Sequence, residues 1–198
     1  SKDMVYHGVK IMPFSTALGT PLANFEASSN YQDVQDPAIT VSISLQDEDA
    51  DVLIWTTTPW TLPSNLAICV HPNLEYSTVW DETTERHLII AKNRVEAIMG
   101  KRPYSVKSNR LGSELIGKSY VPLFSYFNEH KKHGAFRIIS AEFVSDQDGT
   151  GLVHAAPGFG EEDHQACQNA NIQSVVCPID TSGTFTHEVS DFFGQYVK

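Results

Sequence analysis

Residues 55–65, WTTTPWTLPSN, concentrate hydroxyl and indole side chains at the point where a strand is expected to end. They follow an apolar run, residues 52–54, that predicts a buried strand. Pro59 then removes a backbone donor and favours an extended Thr58. Side chains alternate along a strand, so consecutive threonines cannot all face one side. Because hydroxyls donate and accept hydrogen bonds without charge, the segment indicates a strand mouth that orients a water molecule and a small polar substrate. A threonine-rich edge strand that turns at proline would have the same composition.

A second segment, GTGLVHAAPGFGEEDHQ at residues 149–165, combines a strand, a glycine loop and the start of a helix. Free backbone N–H groups in such a loop can hold an anionic or carbonyl oxygen. We expect His154 on the strand and Asp163 in the first turn of the helix. This segment alone favours a plainer interpretation, in which Asp163 caps the helix and His154 is a satisfied core residue.

The composition is that of a single folded domain. The chain has 198 residues, of which 41% are hydrophobic and 10% aromatic, which is too apolar for disorder. No apolar run is long enough for a transmembrane helix, and the N-terminus lacks an apolar signal core, so no membrane partner is expected. Cys69, Cys167 and Cys177 match no zinc-binding spacing, which indicates buried free thiols in a reducing cytoplasm.

The net charge of −10 argues against tight autonomous binding of nucleic acid. Eleven of the fourteen Lys and Arg residues nevertheless lie within residues 86–137, which hold three acids. This basic window predicts either an unevenly charged solvated surface or a basic face directed at phosphates.

The hydrophobic pattern predicts many short strands and a few helices. Helices are expected at residues 92–100, which end at Gly100, and at residues 161–170, and a long ordered loop at 13–37. Strands are expected at residues 6–11, 39–45, 52–57, 66–70, 75–80, 87–91, 115–117, 120–124, 136–143, 152–156, 175–179 and 183–186. The predicted fold class is α+β, mostly β, with a partly closed barrel-like core and a few peripheral helices.

Taken together, the two segments resemble the editing domain of isoleucyl-tRNA synthetase, which is the connective polypeptide 1 (CP1) inserted into the nucleotide-binding fold of that enzyme. The stretches MPFSTALGTPLANFE, NYQDVQDP, CPIDTSGTFT and DFFGQYVK also look like those of cytosolic, eukaryote-type members. The HIGH and KMSKS signatures of the activation site are absent. The resemblance therefore implies that residues 1–198 form one editing domain, cut from a larger synthetase.

The resemblance implies an aminoacyl-tRNA ester hydrolase that removes valine from mischarged tRNA(Ile). A pocket sized for isoleucine gains roughly 1–3 kcal/mol from the methylene that valine lacks, a magnitude already established for this synthetase family. The expected partners are the valine-carrying acceptor end of tRNA(Ile) and the remainder of the synthetase. A monomeric, cytoplasmic fragment is expected, with no cofactor in this domain, since ATP and Mg²⁺ would be used by the synthetase body.

Residue roles follow by motif position in this resemblance. Asp163 would hold the substrate ammonium group, and Thr56 and Thr58 would position the attacking water or the ester oxygen. Trp60 would limit side-chain size, and His154 would exclude isoleucine. The remaining expected substrate-binding residues are Thr57, Asn65, Gly158, Phe159 and Gly160, with the last three near the terminal adenosine. No covalent nucleophile is needed, because an aminoacyl ester is already activated and positioning with electrostatic stabilisation suffices.

Three alternatives stay open at this point. His154, Asp163 and His164 have the side-chain types of a metal-dependent hydrolase, although their spacing matches no zinc motif. The basic window suits a non-catalytic module that binds the tRNA acceptor end. A valyl- or leucyl-type editing domain would keep the chemistry and change the substrate, but the Pro59-Trp60 pair argues against it.

Overall fold

The computed structural model describes residues 8–29 and 32–198 of the chain. In this part the strands are β1 (Phe14–Ser15), β2 (Thr20–Pro21), β3 (Ile39–Ser44), β4 (Asp51–Thr56), β5 (Ala67–Val70), β6 (Glu75–Asp81), β7 (Arg86–Ala91), β8 (Tyr104–Leu111), β9 (Arg137–Ser140) and β10 (Val153–Ala155). The α-helices are α1 (Asn24–Ala27), α2 (Val95–Met99) and α3 (Glu161–Asn169). Short 3₁₀ helices cover Pro59–Ser64, Lys92–Arg94, Gly112–Glu114, Asn128–His133 and Ser190–Phe192. The predicted α+β class, with mostly strands and few short helices, is confirmed.

The strands form open sheets. A five-stranded sheet has the order β3-β4-β7-β6-β8, and a three-stranded sheet has the order β10-β5-β9. The pairs β4–β7 and β5–β9 are parallel, whereas the other ladders are antiparallel. The two larger sheets meet where β10 contacts β4, and there the Trp55 amide N lies 3.5 Å from the Leu152 carbonyl oxygen. This junction brings the ends of two strands from different sheets together.

A large hydrophobic core fills the space between these sheets and explains the strand sequences. All four residues of β5 are buried, because its sheet is covered on both faces, and it reads as the uninterrupted apolar run Ala-Ile-Cys-Val. Residues of α3 pack into the same core, including Ala166 and Cys167. A smaller cluster, built around Val95 and Met99 of α2, covers the opposite face of the five-stranded sheet. The core therefore fixes β4, β10 and the start of α3 relative to one another.

Several sequence predictions hold with small changes in their ends. The hairpin predicted from residues 39–57 is the β3–β4 pair, in full register from Ile39 with Thr56 to Ser44 with Asp51. The helix predicted at 92–100 begins with a 3₁₀ turn and ends at Gly100, whose φ of 57° suits glycine. The predicted loop at 13–37 contains the β1–β2 hairpin and α1, and its residues 30–31 lie outside the described part.

Other predictions are wrong. Residues 115–124 and 175–186 form no strands and contribute only isolated bridges, such as Leu45 with Tyr120 and Ile179 with Phe185. Residues 8–11 also form no strand, while residues 6 and 7 lie outside the described part. Cys69 and Cys167 are buried free thiols as predicted, but Cys177 is exposed. Among the described residues, no helix has both the length and the apolar character needed to cross a membrane.

Candidate functional site

The threonines of the first segment lie where β4 ends. Thr56 is the last residue of the strand and is buried, while Thr57 and Thr58 follow it and are exposed. The Thr56 hydroxyl accepts a hydrogen bond from the Thr58 amide at 3.0 Å, and the two hydroxyls lie 3.3 Å apart. Because the strand has ended, the alternation of side chains no longer applies, and all three threonines line the same cavity.

Asp163 enters the cavity from the first turn of α3. Its Oδ2 accepts a hydrogen bond from the Ala156 amide at 3.0 Å, and no side chain caps the helix at Gly160. The carboxylate therefore binds the loop after β10, which the helix-cap interpretation did not predict. Burial raises the pKa of Asp163, the Ala156 hydrogen bond lowers it, and the nearby Glu162 carboxylate raises it further, so that the pKa lies above the ordinary value.

His154 lies on β10, and its ring contacts the 3₁₀ helix that follows the threonines. Its Nε2 lies 2.9 Å from the Thr61 hydroxyl, and its exposed fraction is 5%. Burial lowers the pKa of His154 to about 4, so the imidazole is neutral at neutral pH. The side chain thus presents an uncharged wall to the cavity.

These elements enclose a cavity of about 310 Å³. The Trp60 and Phe159 rings meet edge to face at one side, with centroids 5.1 Å apart. The lining residues are Trp55, Thr56, Thr57, Thr58, Trp60, Thr61, Val153, His154, Ala156, Phe159, Gly160 and Asp163. Of the ten site residues predicted from sequence, eight line this cavity. Sequence reasoning missed Thr61, whose spacing from Thr58 places both on one side of a 3₁₀ turn.

Asn65 and Gly158 do not line the cavity. The Asn65 amide donates to the Ala67 carbonyl at 2.8 Å and accepts from the Tyr120 hydroxyl at 2.6 Å, so its hydrogen bonds lie inside the fold. A Cβ on Gly158 would lie 2.2 Å from the Val176 carbonyl oxygen, which shows how closely the loop packs on residues 175–177. Both positions therefore support the cavity wall from behind.

Some amides of the glycine loop that were expected to be free are used within the fold. The amides of Phe159 and Gly160 both donate to the Ala156 carbonyl, at 2.9 and 3.3 Å, and the Ala156 amide is used by Asp163. At Gly160 a Cβ would lie 2.8 Å from the Asp163 Oδ2. Glycine at this position therefore leaves room for the carboxylate, and the threonine hydroxyls of the cavity are further hydrogen-bonding groups for a ligand.

The basic window is partly neutralised by acids from outside it. Five of its eleven cations form ion pairs with carboxylates elsewhere in the chain: Arg86 with Asp51, Lys92 with Glu75, Arg102 with Asp81, and Arg110 and Lys118 with Glu48. Arg94 and Arg137 donate to backbone carbonyls. The cluster of cations in the sequence therefore does not become an equally basic face in the fold.

The metal-site alternative has no geometric support in the described part of the chain. There, no group of three or more His, Cys, Asp or Glu side chains is placed to hold a metal ion. The His164 Nε2 lies 2.9 Å from the Gln168 side-chain nitrogen on the next turn of α3. The three residues proposed as ligands from sequence thus do not form such a group.

Solved structures share the fold of this chain. The crystal structure of GlLeuRS-CP1 matches with a TM-score of 0.61 and 14% identity, over 81% of this chain and 91% of that chain. The P. knowlesi cytosolic leucyl-tRNA synthetase editing domain matches with a TM-score of 0.54 and 12% identity, over 67% and 62% of the two chains. The chain therefore has the fold of the CP1 editing domains of aminoacyl-tRNA synthetases.

Curated relatives are similar to this chain along its whole length. The cytoplasmic isoleucine–tRNA ligase of Mus musculus is 49% identical over 203 residues, and the Chlamydia muridarum isoleucine–tRNA ligase is 46% identical over 198 residues. Both alignments cover 100% of this chain but only 16% and 19% of the relatives, and no protein-family model matches. Over its whole length the chain is thus similar to part of the isoleucine–tRNA ligases, and it spans less than a fifth of the length of the relatives it matches.

Proposed function

We propose that this domain hydrolyses the ester that joins valine to the terminal ribose of tRNA(Ile). The proposal rests on the position of Asp163. Its carboxylate lines the cavity, and the other described residues of the lining are uncharged at neutral pH. A cavity of this kind attracts a cation and gives no attraction to an anion. The α-ammonium group of an aminoacyl ester is such a cation, whereas the carboxylate of a free amino acid would be repelled.

Asp163 is held ready for this contact. The Ala156 amide fixes Oδ2, so the carboxylate has a defined orientation and its second oxygen can accept a hydrogen bond from the ammonium group. Burial raises the pKa of Asp163 because the ionised form loses hydration. A bound ammonium would replace part of that hydration, so the substrate itself stabilises the charged carboxylate.

The threonine hydroxyls supply the groups that orient water and the ester. Thr56 and Thr58 form a hydrogen-bonded pair at the end of β4, next to the cavity. A water molecule that binds these hydroxyls would be directed at the carbonyl carbon of an ester anchored at Asp163, and hydroxyl donors would stabilise the oxygen that becomes negative. His154 is a poor general base, because a pKa of about 4 makes its neutral imidazole weakly basic and its Nε2 is bonded to Thr61.

Selection by size would follow from the rings around the amino-acid end. Trp60 and Phe159 pack edge to face, and His154 lines the same cavity. A rigid wall of this kind admits valine and opposes the extra methylene of isoleucine. The second pocket thereby supplies discrimination that the synthetic pocket lacks.

The wider setting is part of the same proposal. Residues 1–198 would act as one editing domain within a cytoplasmic synthetase, with the tRNA acceptor end and the remaining synthetase as partners and no cofactor of its own. A non-catalytic tRNA-binding module is less well supported, because ion pairs within the fold use much of the basic window. A valyl- or leucyl-type specificity has no observation in its favour here, since the leucyl domains share only the fold.

The test is the release of valine from valyl-tRNA(Ile) by the purified domain, with isoleucyl-tRNA(Ile) as the matched ester. We expect valine to be released faster than isoleucine and faster than the uncatalysed rate. Protection of the valyl ester would instead identify a binding module. Labelled water should appear in the released valine without an acyl-enzyme in mass spectra, and a trapped acyl-enzyme would contradict the mechanism.

A further inference from the structure

The Thr61 hydroxyl lies between the Thr58 carbonyl and the ring of His154. Its Oγ1 lies 2.8 Å from the Thr58 carbonyl oxygen and 2.9 Å from the His154 Nε2. Thr61 has an exposed fraction of 4% and His154 one of 5%, so bulk water competes little for either contact. The three groups therefore form a short chain of hydrogen bonds whose protons can be assigned.

The direction of this chain follows from the carbonyl. A carbonyl oxygen only accepts, so the short contact between the Thr61 and Thr58 oxygens requires the single hydroxyl proton to lie between them. Thr61 then has no proton left for His154. The contact between Thr61 and His154 is therefore a hydrogen bond donated by Nε2–H and accepted by the Thr61 oxygen.

The other ring nitrogen fits this assignment. The His154 Nδ1 is buried and has no hydrogen-bond partner among the described residues. If the proton were on Nδ1, a buried donor would be left without an acceptor, and Nε2 and the Thr61 oxygen would face each other without a proton. A second proton would place a charge in a dehydrated site, and burial accordingly lowers the pKa of His154 to about 4.

We propose that Thr61 is a positioning residue that holds the His154 imidazole in its neutral Nε2–H tautomer and in one ring orientation at the cavity wall. The backbone of the 3₁₀ helix fixes the threonine oxygen, since the Thr61 amide also donates to the Thr58 carbonyl at 3.0 Å. The start of the 3₁₀ helix and the ring on β10 are thus joined by one hydroxyl. The ring then acts as a fixed wall of the cavity.

The functional consequence rests on the proposed hydrolysis of valyl-tRNA(Ile). If His154 limits side-chain size, an imidazole that can rotate would give way to a longer side chain. Loss of the Thr61 hydroxyl should therefore increase cleavage of the isoleucyl ester more than cleavage of the valyl ester. The effect would reach the substrate through His154.

The first experiment needs no substrate. We would record nitrogen–proton correlations of the His154 ring in the wild type, in Thr61→Val, which removes the hydroxyl at nearly constant volume, and in Thr61→Ser, which keeps it. We expect Nε2–H to predominate over Nδ1–H in the wild type and in Thr61→Ser. In Thr61→Val the ratio of Nε2–H to Nδ1–H should fall by about tenfold, which corresponds to the loss of one hydrogen bond. The Thr58 carbonyl keeps its bond from the Thr61 amide, so folding should survive.

Two results of this experiment would overturn the positioning role. One is a wild-type His154 protonated at Nδ1, which can be seen even if Thr61→Val fails to fold. The other is a Thr61→Val spectrum that keeps the wild-type tautomer and ring contacts.

The second experiment compares cleavage of isoleucyl- and valyl-tRNA(Ile) by the same variants. The ratio of isoleucyl to valyl cleavage should rise at least about fivefold in Thr61→Val, in keeping with a lost hydrogen bond, and return toward the wild-type ratio in Thr61→Ser. An unchanged ratio beside a changed tautomer would refute the link to selectivity. If the wild type cleaves neither ester, the proposed function fails, while the ring spectra still decide the role of Thr61.

Discussion

Replacing Asp163 with Asn removes the charge that we expect to bind the substrate and keeps the shape of the side chain. The amide oxygen of Asn can still accept the hydrogen bond that Asp163 Oδ2 receives from the Ala156 amide at 3.0 Å. Because burial raises the pKa of Asp163, the ionised carboxylate is not favoured by the fold itself. Asp163→Asn should therefore leave the free energy of unfolding unchanged or slightly increased at neutral pH.

The expected loss of activity follows from the interaction with the ammonium group. A hydrogen bond to a charged partner in a partly dehydrated site contributes about 2–3 kcal/mol, and the incomplete burial of Asp163 argues against a larger value. This corresponds to a decrease in kcat/KM of about 30- to 150-fold, since each 1.4 kcal/mol is about a factor of ten. Asp163→Ala should be at least as inactive and should also lose about 1–3 kcal/mol of stability, because the buried Ala156 amide loses its acceptor.

The assay is deacylation of valyl-tRNA(Ile), combined with urea unfolding of each variant. Glu162→Gln is the matched control, because Glu162 is the preceding, exposed carboxylate on α3 and does not line the cavity. We expect the control to retain the wild-type rate within about twofold, as is usual for a surface charge. A folded Asp163→Asn variant that cleaves as fast as the wild type would refute the assignment of Asp163 as the ammonium-binding group.

The remaining predictions concern acidity, size selection and packing. Deacylation should decline as the pH falls through the raised pKa of Asp163. The stability of the wild type relative to Asp163→Asn should fall as the pH rises from about 3.8 through that pKa, because the folded state binds the extra proton. A stability difference between the two proteins that does not change with pH would contradict this. Trp60→Ala should lose less stability than the roughly 3–5 kcal/mol of a fully buried aromatic residue and should raise the ratio of isoleucyl to valyl cleavage, because Trp60 is half-buried against Phe159. Gly158→Ala should lower the free energy of unfolding by about 1–3 kcal/mol, since the new Cβ would lie 2.2 Å from the Val176 carbonyl oxygen. Denaturant titration measures this change, and a smaller decrease would contradict the packing argument.

The parts of the fold that were predictable from sequence have a strong local pattern. The β3–β4 hairpin combines an alternating strand, an acidic turn and an apolar run, which agree on one structure. Helix α3 begins with three acids, which are favourable at its positive end, and its bounds were predicted to within one residue. Where local sequence signals and tertiary packing favour the same structure, the sequence alone is enough to predict the element.

The wrong predictions fall on segments whose structure is determined by tertiary contacts. Leu115 and Tyr120 are fully buried, but each enters the core from an irregular segment, so apolar residues there did not mark a strand. Strand β8 was missed because it is a mostly exposed edge with the polar sequence YSVKSNRL, held by pairing with β6. Neither the irregular segments nor strand β8 can be predicted from the pattern of a few neighbouring residues.

The site shows the same limit at the level of single side chains. Motif position found most of the cavity-lining residues, but it did not distinguish Asn65, whose amide bonds to Ala67 and Tyr120, from residues that face the cavity. It also missed Thr61, which lines the cavity through the 3₁₀ turn. Proline at both ends of that turn is a local signal for its geometry, but the partner of Thr61 is His154, which lies far along the chain.

The opposite effects of burial on the two titratable side chains of the cavity define the kind of catalysis that it can support. Burial raises the pKa of Asp163 and lowers the pKa of His154 to about 4, so dehydration disfavours the charge on each group. A bound ammonium would compensate the charge on Asp163, whereas His154 has no such partner among the described residues and stays neutral, with Nε2 donating to Thr61. A proton relay needs an effective base near the reacting water. The low pKa of His154 makes its imidazole a weak base, and the Asp163 carboxylate would be paired with the ammonium. The cavity is therefore suited to hydrolysis by orientation, in which one carboxylate anchors the ester and hydroxyls direct the water.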